Sequence, residues 1–304
     1  MGQVARAALA WITAHREDFA LGDDALDRDG RVDTSWKPLG ELARVCGSIR
    51  ARTAPTDPLH SRAGNLLAFA WAQTGHGELF PRLQRLEPFA TYPLEVYAAF
   101  AAAGLRHTGY ERDAARVART RGWRLTEQDP TRHLGVLCAE RSTGMSRPGQ
   151  PQPALRRTWL GGLPEPWTFE RDAGYALTHV IFHLTDWGRT PDGVPPDLAA
   201  YLTDWLPPWL DTCLDSAMWD LSCELLAVAA SLPRPPDPAL LHDSWTRLAA
   251  AQSASGAIPE EGPRASQDAD HDATDPARDF LSCYHSTLMA AFAATLTLGQ
   301  GASA

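Results

Sequence analysis

Apolar residues recur along this chain at the three- and four-residue spacing of amphipathic helices, and alternating β-branched runs bounded by turn dipeptides are almost absent. The pattern predicts helices over 3–20, 37–52, 60–74, 92–104, 109–121, 130–141, 171–187, 197–213, 216–231, 238–252 and 278–297. Pro88, Gly104, Gly122, Pro130, Gly188, Pro233 and Pro276 punctuate them. The expected fold is therefore all-α, in one helical domain over 1–304. Two stretches break the pattern: residues 143–167 are rich in Pro and Gly, and residues 254–277 are polar and acidic. Long loops of this kind often serve as lids or binding loops.

Four of the helices share a layout in which an ionisable residue precedes a run of Ala, Leu, Val and Phe. The residues are Glu95, His179, Glu224 and His285. An unpaired buried charge is costly, so its repetition predicts helices that converge on a shared polar site. Setting Asn65, Glu95, His133, His179, Glu224 and His285 as equivalent positions gives four spacings of roughly 30 to 46 residues, as in helix-hairpin repeats, and a last one of about 61 that needs a long loop. Six such inner helices alternating with outer ones would close an α/α toroid; an irregular bundle or a solenoid is the alternative.

The sharpest constellation is His179, His183 and Asp186. At 100° per residue, His183 lies about 40° from His179 and Asp186 about 20° on the other side, so one helix face would carry all three beside Tyr175 and Phe182. Imidazoles at i and i+4 can chelate a divalent transition metal, and a carboxylate one turn on can coordinate it or fix a ring tautomer. Asp220 and Glu224 repeat the i, i+4 spacing on another helix, with Asp220 also suited to complement the dipole in the first turn. His285 follows Tyr284 on an apolar helix, and Glu95 sits among Tyr92, Tyr97 and Phe100. The expected metal ligands are His179, His183, Glu224 and His285, with Glu224 and Asp186 as candidate catalytic groups. Glu95, Tyr175, Phe182, Asp220 and Tyr284 are the candidate cavity lining. Such a mixed imidazole and carboxylate shell suits iron or zinc better than magnesium.

Composition narrows the partners. With 44% hydrophobic residues and a formal charge of -9, the chain can bury a large core but offers no basic face for nucleic acid or anionic membrane. Its densest basic set, Arg112, Arg116, Arg119, Arg121 and Arg124, has the spacing of a solvated outer helix. Five cysteines without a CxxC pair, an N-terminus unlike a secretory signal and no apolar run long enough to span a bilayer predict a reduced, cytoplasmic protein. Asp23 to Gly30 fails the calcium-loop register, and no GxSxG elbow or Gly-rich phosphate loop is present. Eleven tryptophans could line a cavity or pack between helices.

Two resemblances add context. The segment Gln252-Ser-Ala-Ser-Gly256 resembles the QxxxG turn that closes outer helices in terpene-cyclase-like and prenyltransferase-like α/α toroids, which implies the same fold. The acid motif of class II terpene cyclases is missing, since Asp268, Asp270 and Asp272 have the wrong spacing, and so is the Cys and His zinc set of lanthionine cyclases. Residues Tyr175 to Gly188, reading YxLTHxxFxxTDxG, together with Cys283-Tyr284-His285, resemble a family of uncharacterised actinobacterial proteins found with specialised-metabolite genes.

The expected function is a metal-dependent enzyme, an oxidoreductase, lyase or cyclase, acting on a small, fairly apolar metabolite. A metal-free cyclase or isomerase using carboxylate and histidine chemistry is the second reading. An α/α scaffold that binds a carrier protein, peptide or ligand is the third.

Overall fold

The computed structural model describes residues 1–27, 32–145, 151–262 and 276–301. Among these residues all regular structure is helical. The helices are α1 (Gly2–Ala14), α2 (Trp36–Arg52), α3 (Pro58–Gln73), α4 (Leu79–Leu86), α5 (Tyr92–Ala102), α6 (Thr108–Ala118), α7 (Trp123–Thr126) and α8 (Pro130–Ser142). They continue with α9 (Pro151–Leu155), α10 (Arg171–Leu184), α11 (Pro196–Asp215), α12 (Trp219–Ala229), α13 (Pro238–Ala251), α14 (Pro276–Leu281) and α15 (Tyr284–Gly301).

Three of these helices begin at the same dipeptide. Asp57, Asp129 and Asp237 each accept a hydrogen bond from a backbone N–H of the helix they cap, those of Leu59, Arg132 and Ala239, while Pro58, Pro130 and Pro238 occupy the first turn. The carboxylate satisfies a donor that has no partner inside the helix, and proline's fixed φ suits a position whose N–H is not needed.

Burial divides the helices into two kinds. In α12 every residue from Asp220 to Ala229 is buried, and in α15 so is every residue from Ser286 to Thr295. A helix apolar all round must be surrounded by other helices. By contrast α6 buries only Tyr110, Ala114 and Ala118, one stripe at four-residue spacing, and leaves Arg112, Arg116 and Arg119 exposed. The solvated outer helix expected from those arginines is what forms.

The inner helices pack in a cyclic order. Helix α2 contacts α5, α5 contacts α8, α8 contacts α10, α10 contacts α12, α12 contacts α15, and α15 returns to α2. Helices α1 and α3 lie outside α15 and α2, while α11 and α13 lie outside α12. Polar side chains near the starts of the inner helices link neighbours: Arg132 with Glu95, Tyr175 with Asp220, Asp220 with His285. Buried residues from Val4 to Leu296 belong to one hydrophobic core. No helix among the described residues is long and apolar enough to cross a membrane.

The Gln252–Gly256 turn has a clear physical basis. The Gln252 amide donates to the Gly256 and Val4 carbonyls at 2.9 and 3.3 Å, fastening the end of α13 to α1. Gly256 has a φ of +101°, and a Cβ there would lie 2.3 Å from the Ala7 carbonyl oxygen, so only glycine fits. From this turn the chain crosses the starts of α12 and α15. The Ile258 N–H donates to the Thr287 hydroxyl, the Asp220 N–H donates to the Glu260 carbonyl, and the Glu260 N–H donates to the Ser282 carbonyl.

Several boundaries differ from expectation. The helix expected over 3–20 stops at Ala14 and gives way to a 3₁₀ turn at Arg16–Phe19, and that over 278–297 is two helices, α14 and α15. Helix α4 was not expected, because its eight residues are too few to show a long period. The 143–167 stretch contains α9 and two 3₁₀ turns. Asp29 and Gly30 of the rejected calcium loop, and Asp268, Asp270 and Asp272, lie outside the described residues.

Candidate metal centre

The cyclic packing brings α12, α15, α2 and α10 together around four acidic and basic side chains. Asp220 is the second residue of α12, and Glu224 follows one turn later on the same face. His285 is the second residue of α15, Glu41 lies in the second turn of α2, and Tyr175 and Thr178 lie on α10. Among the described residues, Asp220, Glu224 and His285 form the one group of three potential metal-ligating side chains whose ligand atoms all lie within 4.8 Å of one another.

The polar contacts fix each group. His285 Nδ1 lies 2.7 Å from Asp220 Oδ1, and the Tyr175 hydroxyl donates to Asp220 Oδ2 at 2.8 Å. The Thr178 hydroxyl donates to Glu224 Oε2. His285 Nε2 stands 3.7 Å from both Glu41 Oε1 and Glu224 Oε1. Glu224 Oε1 and Glu41 Oε2 are buried without a hydrogen-bond partner. An unsatisfied buried acceptor costs about 1–3 kcal/mol, so two in one cluster call for an explanation.

Burial and charge act in opposition here. Glu224 is fully buried, and desolvation raises its carboxyl to about 8 despite the pull of His285, so it holds its proton through neutral pH. Burial also opposes ionisation of Asp220, yet His285 and the Tyr175 hydrogen bond outweigh it and hold that carboxyl below its ordinary value. For His285 burial disfavours the imidazolium, but Asp220 and Glu41 overcome it and raise the ring to about 10. The metal-free site thus pairs an imidazolium with one ionised carboxylate and stores a proton on another.

Helix α10 departs from the expected arrangement. The helix ends at Leu184, and the Trp187 N–H returns to the Phe182 carbonyl at 2.7 Å. Asp186, Trp187 and Gly188 all have positive φ, so Asp186 leaves the face carrying the histidines and pairs with Arg189 at 3.6 Å. A Cβ on Gly135 would lie 2.8 Å from His183 Cε1 and Nε2, which shows how closely that ring lies on α8. His183, Asp186, Arg44, Glu95 and Cys138 line a cavity of about 20 Å³, room for one water.

The structure brings together only part of the expected ligand set, Glu224 with His285. His179 and His183 lie outside the metal-compatible group, and Asp220, expected only as lining, lies within it. The physical reason is their surroundings. The two rings are 6.4 Å apart between centroids, and His179 also lies edge-on to Phe182. Burial, then the charges of His285 and Lys37, push His179 down to about 4; burial, then His179 and Arg44, push His183 down to about 3. Both are half-buried histidines held neutral at physiological pH.

The other candidate residues take separate places. Glu95 pairs with Arg132 at 3.2 Å, and burial raises its carboxyl. Phe182 is fully buried against Trp187 and Phe292 rather than lining a cavity. Tyr284 packs on Phe19 and Phe280, and burial together with Glu41 raises its phenol. Asn65 is exposed on α3, so the inner position of the first unit belongs to α2 and Glu41. Trp159 and Trp209 pack with Phe169.

Glu41 is the residue that sequence reasoning missed. Its segment, Gly40-Glu41-Leu42-Ala43, has the same Glu-before-apolar layout as the other four, but Arg44 interrupts the run. Thr178 gives no sequence signal because a threonine inside a helix ordinarily bonds its own backbone, and its hydroxyl oxygen does lie 2.9 Å from Tyr175 O as well as against Glu224 Oε2.

The family described as a domain of unknown function (DUF6895) matches residues 5–295, and the chain belongs to it. No curated protein and no solved structure matches the chain.

Proposed function

We propose that this DUF6895 protein is a metal-dependent enzyme, holding a divalent transition metal, iron or zinc, at Asp220, Glu224 and His285 inside an α/α toroid. The observation that carries the reading is the convergence of buried Asp220 and Glu224 with half-buried His285, with ligand atoms within 4.8 Å of one another. Burial of so many ionisable groups is costly unless a strong partner is present, and perturbed groups gathered in this way mark functional sites. A set of one imidazole and carboxylates suits iron or zinc better than magnesium, which favours oxygen ligands and retains its waters.

The cyclic order of α2, α5, α8, α10, α12 and α15 supports the toroid, as does the Gln252–Gly256 turn. In this reading the metal supplies Lewis acidity or redox capacity when bound. The protein's own groups orient it and keep bulk water away: Asp220 holds the His285 ring, Thr178 holds Glu224, and the 256–262 segment crosses the helix starts. The substrate is a small, fairly apolar metabolite, free or presented by a carrier protein, in a cytoplasmic biosynthetic step.

One observation favours a second reading, metal-free proton transfer. Glu224 is fully buried, holds a proton through neutral pH and has an oxygen without a partner, as a general acid would. Metal analysis separates the two. Protein purified without chelators from iron- and zinc-supplemented cultures should carry about one transition metal per chain by mass spectrometry. Only trace metal, with no thermal shift on adding Fe(II), Mn(II) or Zn(II), would reject the metal reading and leave proton transfer.

A further inference from the structure

We propose that the cleft between α1 and α3 is a binding site for a small phosphate monoester, held by Arg16 and Arg62. The proposal is independent of the metal centre and uses none of its residues.

The cleft lies where the ring of inner helices closes. Helix α15 returns to α2, α1 packs outside α15, α3 packs outside α2, and α1 meets α3 across the seam. Between the end of α1, the 3₁₀ turn after it and the first half of α3 is a cavity of about 320 Å³, whose lining includes Thr13, Arg16, Ser61, Arg62, Asn65 and Leu66. That volume falls within the range of small-molecule sites, about 300–1,000 Å³.

Two arginines from different elements set its charge. Arg62, Asn65, Leu66 and Phe69 follow one another at three- and four-residue spacing, which puts them on one face of α3. Arg16 reaches this face from the 3₁₀ turn: its guanidinium carbon stands 5.9 Å from the centre of the Phe69 ring, and its Nε donates to Glu17 Oε1 at 2.9 Å. These contacts hold the guanidinium and leave its terminal nitrogens without a partner among the described residues. Arg62 is half-buried and has neither ion pair nor hydrogen bond among the described residues. That sets it apart in a chain of formal charge -9, in which Arg106, Arg132, Arg171 and Arg247 each pair with a carboxylate. The neighbouring carboxylates are engaged elsewhere, Asp18 with His15 and Asp57 with the Leu59 N–H. Guanidinium forks match the oxygens of a phosphate, and two of them suit a dianion better than a single carboxylate.

The neutral groups indicate the rest of the ligand. The Thr13 hydroxyl donates to the Leu9 carbonyl at 2.6 Å, and the Ser61 hydroxyl to the Pro58 carbonyl at 3.1 Å. With their hydrogens engaged, both oxygens are left as acceptors, and Asn65 offers a donor and an acceptor. Such a lining suits a phosphate ester whose body carries hydroxyl groups, as a sugar phosphate does. A ligand seated there touches α1 and α3 together and so clamps the seam behind α15 and α2.

The test is isothermal titration calorimetry on the full-length protein with glucose 6-phosphate, compared with inorganic phosphate, succinate and glucose. Glucose 6-phosphate should bind with a Kd of about 1 mM or below, and glucose and succinate at least about tenfold more weakly. Arg16→Gln and Arg62→Gln should each weaken glucose 6-phosphate by about tenfold or more, and Arg62→Lys, which keeps the charge without the fork, by less. Arg112→Gln, on the outer helix α6, should bind it as wild type does. Binding should also raise the Tm by about 3 °C at ten times Kd. Circular dichroism of each variant checks that a loss of binding is not a loss of fold. No saturable binding of glucose 6-phosphate up to about 10 mM, or unchanged binding in folded Arg62→Gln, would overturn the site. Succinate binding more tightly than glucose 6-phosphate, or inorganic phosphate binding as tightly, would overturn the ligand class.

Discussion

Two sides of the inner helices carry histidines, and the protein treats them in opposite ways. On the α12–α15 side His285 meets carboxylates from two other helices and is held charged, its ring raised to about 10. On the α10–α8 side His179 and His183, one turn apart on a single helix, lie half-buried beside each other, Phe182 and Gly135 and are held neutral, at about 4 and 3. The HxxxH spacing is the more conspicuous motif in the sequence. Yet two imidazoles on one helix bring no counter-charge of their own, whereas convergence from separate helices brings several.

Removing the cation is the largest perturbation of this contrast. In metal-free protein, His285→Ala leaves Asp220, Glu41 and Glu224 without their imidazolium, and should cost about 3–5 kcal/mol by urea denaturation at pH 6. His183→Leu, which removes no charge at that pH, should cost well under half as much. Equal losses would erase the distinction between the two sides.

Acid sharpens the comparison, because the two sides carry opposite signs. A histidine lowered from 6.5 to about 3 contributes stability that is intact above pH 6.5 and lost as pH falls toward 3. His285, raised from 6.5 to about 10, contributes stability that is intact below pH 6.5 and lost as pH rises toward 10. At pH 5 the neutral burial of His183 should cost about 2 kcal/mol, at about 1.4 kcal/mol per pH unit. His183→Leu should therefore flatten the fall in stability between pH 6.5 and 5, and an unchanged slope would refute its neutral burial.

The smallest effect concerns a single hydrogen bond. Tyr175→Phe removes the donor to Asp220 Oδ2 and should cost about 1.5 kcal/mol, measured by thermal melting. The same change should also lower the pH at which the His285 ring titrates in NMR spectra, because an Asp220 with one donor fewer is a less secure counter-charge.

Much of this architecture can be read from the chain. Asp-Pro dipeptides at 57, 129 and 237 start helices, the Ala- and Leu-rich runs of α12 and α15 require burial on all sides, and Gln252 with Gly256 closes a turn. Glu224 and His285 stand out as ionisable residues in apolar helices, and they do converge. Asp186 was misplaced because helical arithmetic assumes the helix continues, while the chain turns left-handed at Asp186 and Trp187 before Gly188. Glu41 was missed because Arg44 follows it one turn later, so its helix looks only half-buried; it is the return of α15 to α2 that sets it beside His285.

What the chain alone fixes is most of the longer helices, the all-round burial of α12 and α15, and the ionisable residue near the start of each of those two. These are local properties, set by spacing, capping and the cost of exposing apolar faces. The tertiary structure alone decided which ionisable residues share a site and which nitrogen of His285 faces the carboxylates of Glu41 and Glu224. Charge partnership depends on distances of a few ångströms between helices far apart in the chain, and no periodicity within one helix records it.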